Sequence, residues 1–162
     1  MREMNDMDDS KRILVIEPVP TDAELIELQI RKSGVPLTVK RIATMDLIEG
    51  ALAEFLPDLI VVDNAVPRCD VPALIRKWRE DHPEARWVVV SGPGSEEIAV
   101  ESMKAGASDY VAKKSINRLG SIVKAILEAP PRRRRSRRNR SLPPLFPHLQ
   151  ERTNSSDRSL NR

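Results

Sequence analysis

Four apolar runs in this chain each stop on a polar side chain of a kind that handles charge. The stretch "DLIVVDNAVP" (58–67) is apolar from Leu59 to Val62 and then reaches Asp63; "RILVIE" (12–17) reaches Glu17, "RWVVVSG" (86–92) reaches Ser91, and "DYVAK" (109–113) reaches Lys113. A carboxylate at the mouth of a core strand is costly to desolvate unless something there uses its charge. Two carboxylates, a hydroxyl and an ammonium gathered in one place offer oxygens to a cation and N–H donors to an anion. Whether they are gathered depends on the elements that carry them.

Those elements alternate in two patterns, short apolar runs and longer amphipathic segments with helical spacing, from residue 12 to residue 129. After the first strand, "TDAELIELQIRKSG" reads as a helix that Thr21 or Asp22 would cap and Gly34 would end, with Leu25, Ile26 and Ile30 as its buried stripe. "PLTVKRI" alternates as a more exposed edge strand, and "TMDLIEGALAEF" reads as a helix carrying Leu47, Ile48, Leu52 and Phe55 inward until Pro57 breaks it. The unbroken apolar character of "DLIVVD" implies cover on both faces, so this strand is expected to be central. A helix ("VPALIRKWREDHP"), a strand ("RWVVVSG"), a helix ("SEEIAVESMKAGA"), a fifth strand ("DYVAK") and a last helix ("SINRLGSIVKAILEA") follow. Five βα units in order imply an α/β fold with a doubly wound, five-stranded parallel sheet, order 2-1-3-4-5, of the flavodoxin-like kind. In such sheets the ligand site lies beyond the C-terminal ends of the central strands. Glu17, Asp63, Ser91 and Lys113 all fall at that end.

Composition narrows the function classes. The chain has 162 residues, room for one core and a tail. Residues 1–129 hold 17 Lys/Arg against 22 Asp/Glu, whereas residues 130–162 hold 10 Arg against two acids, so only the tail would be drawn to polyanions. The single Cys69 excludes an internal disulfide and suits a reducing compartment, with the cytoplasm as the default. The polar start "MREMNDMDDSKR" resembles neither a signal peptide nor an anchor, and no apolar run approaches the roughly 20 residues of a membrane span. A metabolic enzyme on this fold would want a His, a reactive Cys or a glycine-rich dinucleotide fingerprint at the site; the two histidines, His82 and His148, fall in loop and tail.

On "ILVIE", "PDLIVVDNAVP" and the long block "VVVSGPGSEEIAVESMKAGASDYVAK", the chain resembles a response-regulator receiver domain, the phosphoryl-accepting module of two-component signalling, over about residues 11–129. The last block is similar to receivers attached to sensor kinases. The resemblance implies that Asp63 is the phosphoacceptor, Ser91 the switching hydroxyl, Lys113 the phosphate-contacting lysine and Tyr110 the switching aromatic. It also implies Mg²⁺ at Glu17 and Asp63. The chemistry suits those residue types: a carboxylate attacking a phosphoryl group needs its transferring oxygens neutralised, by a divalent cation and a fixed ammonium. Lys114, beside Lys113, competes for the second role.

The resemblance is imperfect at the acid pocket. Receivers usually carry two adjacent acids after the first strand, and here the pair is Glu17-Pro18, so one anionic partner of the cation is missing and its affinity would fall roughly ten- to hundredfold. Asp22 is a candidate substitute, although its place favours helix capping. Val71 stands where receivers often have a glycine, so the loop after the third strand is expected to differ in shape. The expected organisation is a disordered segment 1–10, a receiver 11–129 and a disordered Arg/Pro-rich tail 130–162, with no output enzyme encoded. The expected partners are a histidine kinase or phosphotransfer protein and a downstream protein docking on the fourth helix, fifth strand and fifth helix, from Glu96 to Leu127; a homodimer stays open. Two other readings stand beside a phosphorylatable receiver: a degenerate receiver that binds partners without phosphorylation, and nucleic-acid binding through the Arg-rich tail.

Overall fold

The computed structural model describes residues 9–130. The expectations for the N-terminal segment up to residue 8, and for the Arg/Pro-rich tail from residue 131 onward, lie outside the described residues. Five parallel strands, β1 (Lys11–Ile16), β2 (Leu37–Ile42), β3 (Leu59–Asp63), β4 (Arg86–Ser91) and β5 (Asp109–Ala112), form one sheet in the order 2-1-3-4-5. Five helices connect and follow them: α1 (Pro20–Arg31), α2 (Ile48–Phe55), α3 (Val71–Asp81), α4 (Glu96–Ala105) and α5 (Leu119–Glu128). This is the doubly wound, flavodoxin-like sheet expected from the βα alternation.

Alternation along the strands splits the core into two layers. Ile13, Val15, Leu59, Val61, Val88 and Val90 face α1 and α5, where Ile26, Ile30, Leu119 and Val123 cover them. Leu14, Ile16, Ile60, Val62, Trp87 and Val89 face the other way and meet Ile48, Leu52, Leu74 and Ile75 of α2 and α3. Every residue of β3 is buried, which is why its sequence shows no polar face until the strand ends at Asp63. β2 is the exposed edge that its alternating sequence suggests.

Several local expectations are corrected. The inward stripe of α1 is Ala23, Ile26 and Ile30; at 100° per residue Leu25 lies across the helix from Ala23, and it is 43% exposed. Leu47 is 55% exposed because residues Met45–Leu47 form a separate 3₁₀ turn ahead of α2, so Leu47 is out of phase with the buried Ile48 and Leu52, while Phe55 is partly buried. The last helical segment is likewise two pieces, a 3₁₀ stretch Lys113–Arg118 and then α5. Neither Thr21 nor Asp22 caps α1: the cap position is Val19, which has no side-chain acceptor, and Pro20 opens the helix, where its missing N–H costs nothing. Asp70, by contrast, caps α3 by accepting from the Ala73 N–H at 3.1 Å.

The α1–α5 contact generates a stability prediction. A Cβ placed on Gly120 would sit 2.8 Å from the backbone oxygen of Gln29, so the two helices pack here only because residue 120 has no side chain. Alanine is the better helix former by about 1 kcal/mol, but forced separation in a packed core costs about 1–3 kcal/mol. Gly120→Ala should therefore lower the urea midpoint of unfolding; a raised midpoint would show that α5 can shift without cost.

Candidate functional site

The strand register brings the four strand-end residues to one edge of the sheet. Ile16 pairs with Val62, so Glu17 and Asp63 extend β1 and β3 side by side, while Ser91 pairs with Ala112 and places Lys113 one residue beyond β5. Glu17, Asp63 and Ser91 are all buried, Asp63 and Ser91 completely. The carboxylates are oriented by their own loops. Asp63 Oδ1 accepts from the Ala65 N–H at 2.7 Å, and Glu17 Oε1 accepts from the Val19 N–H at 3.0 Å. Each carboxylate thus has one oxygen tied to backbone and turns the other, Asp63 Oδ2 or Glu17 Oε2, into the pocket, toward the same charged partner.

The Lys113 ammonium is the cation paired with both. Its Nζ lies 2.6 Å from Asp63 Oδ2 and 3.6 Å from Glu17 Oε2. It also donates to Asp22 Oδ2 at 2.8 Å, a partner that reaches in from the first turn of α1. Asp22 is the functional candidate whose placement was misjudged. Its position near a helix start suggests a cap, whereas the Pro18-Val19-Pro20 entry supplies the helix start without it. The one signal pointing the other way is that proline beside Glu17, which leaves the pocket short of an acid. Lys114 forms no part of this cluster.

Burial acts on these groups in opposite directions. Burial is the largest influence on Glu17 and pushes its carboxyl up to about 7, with the Asp63 carboxylate adding to the shift. Burial would also raise Asp63, but hydrogen bonding from Glu17, Lys113 and the Ala65 N–H outweighs it and holds the group below the usual carboxylate range. Near neutral pH the pocket therefore holds an anionic Asp63 beside a Glu17 poised between its protonated and ionised forms. Burial alone would lower the Lys113 amine, yet its hydrogen bonds to Asp22 and Asp63 keep it above its ordinary value.

Ser91 and Tyr110 are brought together as well. The Ser91 hydroxyl contacts the Tyr110 hydroxyl across the β4–β5 pairing, and the Tyr110 ring packs against the core layer of α2 and α3. In the loop after β3, the left-handed backbone falls at Arg68 (φ +58°), while Val71 is the buried first residue of α3. As to a cation, the pocket-facing oxygens of Glu17 and Asp63 are hard donors of the kind Mg²⁺ takes one or two of, beside waters and substrate oxygens, and both face the Lys113 ammonium. Among the described residues, no group of three or more His, Cys, Asp or Glu side chains converges as metal ligands.

Comparison with known proteins bears on the family and the fold. The family model for the response regulator receiver domain matches residues 13–126. The transcriptional regulatory protein PhoP of Escherichia coli K12 is 32% identical over 108 residues, covering 63% of this chain and 45% of its own length. The chemotaxis protein CheY of Thermotoga maritima is 24% identical over 103 residues, covering 64% of this chain and 85% of its own. Among solved structures, the receiver domain of NtrX from Brucella abortus superposes with a TM-score of 0.64 at 26% identity, over 73% of this chain and 99% of that one. The chain spans about half the length of the PhoP relatives it matches.

The raised Glu17 value carries a pH dependence. A carboxyl whose folded value is raised stabilises the fold fully below its unfolded value, here 4.5, and loses that contribution as pH rises through about 7. In metal-free buffer, the stability difference between wild type and Glu17→Gln should therefore shift in favour of the variant between those limits, by on the order of 2 kcal/mol. Urea unfolding at a series of pH values reads this directly. A difference that stays flat across the window would mean that Glu17 ionises as an ordinary surface acid does.

Proposed function

The chain belongs to the response regulator receiver domain family, and on that premise we propose that residues 11–129 act as a receiver in which Asp63 accepts a phosphoryl group and the surface passes the signal to a protein partner. The observation that carries this reading is the pairing of a fully buried, anionic Asp63 with the Lys113 ammonium at 2.6 Å, at the C-terminal edge of the sheet. The donor would be a phosphohistidine of a histidine kinase or phosphotransfer protein. An Asp63 oxygen forms the new P–O bond, the P–N bond breaks with its electron pair staying on nitrogen, and the imidazole leaves neutral because its other ring nitrogen already carries a proton. Transfer of this kind asks little covalent help of the protein; it asks for charge in the right place. Lys113 neutralises the transferring oxygens. Mg²⁺, held by the free oxygens of Glu17 and Asp63, would supply further neutralisation when bound.

Signalling follows from the same side chains. If the Ser91 hydroxyl donates to a phosphoryl oxygen on Asp63, it can keep its contact with Tyr110 only as the acceptor, which couples the phosphorylation state to the ring on β5. α4 flanks that strand and exposes Val100 and Met103, one turn apart on a single face, an apolar pair suited to a downstream protein. The receiver is regulatory, without an output reaction of its own, and its expected setting is the cytoplasm; no helix among the described residues is long and apolar enough to cross a membrane.

A phosphorylation-independent role is the second reading, and Pro18 favours it by leaving the pocket without the usual second acid beside Glu17. Nucleic-acid binding by the Arg-rich tail concerns residues outside those described; it would show as steeply salt-dependent affinity lost on truncation at 129. Intact-protein mass after incubation with acetyl phosphate and about 10 mM Mg²⁺ decides between the first two. A phosphoryl-sized gain that disappears in Asp63→Asn and forms on the order of a hundredfold more slowly in Lys113→Ala is expected. No gain from acetyl phosphate or from any histidine kinase, with partner binding retained, would establish the second.

A further inference from the structure

Pro18 removes an acid from the pocket, and the fold supplies one from elsewhere. Asp22 stands on the first turn of α1, on a helix that begins without a side-chain cap, so its carboxylate is not engaged by the helix N-terminus. Its Oδ2 accepts from Lys113 Nζ at 2.8 Å, across 91 positions of sequence. Lys113 has three N–H donors and faces three carboxylates: Asp63, Asp22 and, further off, Glu17. Two of the three, Asp63 and Glu17, are also buried, each turning a single oxygen toward the ammonium.

A divalent cation and the ammonium therefore compete for the same oxygens. A cation that takes Asp63 Oδ2 must displace Lys113 from its 2.6 Å contact, and a displaced, part-buried ammonium needs another anion. We infer that Asp22 is the positioning carboxylate that stands in for the acid absent at Pro18, holding the Lys113 ammonium at the pocket mouth while Asp63 and Glu17 turn their free oxygens to a divalent cation. This rests on the phosphoacceptor reading of the pocket, and it adds a residue that no strand end supplies. Asp22 is not itself a ligand: it acts through Lys113, and its negative charge further favours the cation.

The test is cation binding without any phosphodonor. Mn²⁺, read by loss of the free-ion EPR signal and competed with Mg²⁺, is titrated into wild type, Asp22→Asn, Asp22→Glu and Glu24→Gln, the last removing an exposed acid from the same helix. Loss of one charge-assisted contact predicts roughly tenfold weaker binding in Asp22→Asn, partial recovery in Asp22→Glu and less than a twofold change in Glu24→Gln. Asp22→Asn binding like wild type or like Glu24→Gln, or a wild type that binds no Mn²⁺, would overturn the assignment. Phosphoryl uptake at Asp63 is scored separately. Uptake together with an unchanged cation affinity in Asp22→Asn sinks this inference and leaves the phosphoacceptor reading standing; no uptake with a tenfold loss of affinity does the reverse.

Discussion

One ammonium ties together four parts of this fold. Lys113 follows the last residue of β5 and pairs with Asp63 at the end of β3, Glu17 just after β1 and Asp22 on α1. Charges as buried as Glu17 and Asp63 are strongly destabilising when unpaired, and pairing in the interior is favourable only with good geometry and additional hydrogen bonds. The backbone N–H groups of Val19 and Ala65 supply those bonds. The sheet order 2-1-3-4-5 is what permits it, because it sets β1 and β3 side by side with their C-terminal ends on the edge where β5 also ends. A sheet in simple sequence order would separate Glu17 from Asp63 by a strand.

From that pairing the chemical character of the pocket follows. Lys113 and the neighbouring donors hold Asp63 ionised, while burial and the Asp63 charge keep Glu17 near its midpoint at about 7. The two carboxyl groups are chemically alike and differ because their environments differ. Ser91 and Tyr110 form a second pair, which places a hydroxyl at the same edge of the sheet and an aromatic ring against the core layer of α2 and α3.

Much of this was legible in residue order, and the exceptions have physical causes. The apolar runs, their polar ends and the uninterrupted burial of β3 follow from periodicity, as does the sheet order once right-handed crossovers are assumed. Leu25 and Leu47 misled because an apolar residue within a helical segment need not lie on the stripe; a 3₁₀ turn before α2 shifts the phase, and only geometry reveals it. Asp22 was harder still. Its capping role is cancelled by Val19 and Pro20, and its partner lies far away in sequence, so no local pattern could pair them. The close approach of α5 to α1 at Gly120 is similarly a tertiary fact, invisible in a helix whose local sequence would tolerate alanine.

Central to the account is that Lys113 and its neighbours keep Asp63 ionised while Glu17 shares the pocket partly protonated. Carbon-13 NMR titration of the side-chain carboxyl groups in metal-free buffer measures both at once. The arrangement predicts that Asp63 titrates below the ordinary carboxylate midpoint and Glu17 near 7. If both carboxyls instead titrate together at about 4, the value of solvated carboxylates, the charge arrangement on which the phosphoacceptor reading stands is contradicted.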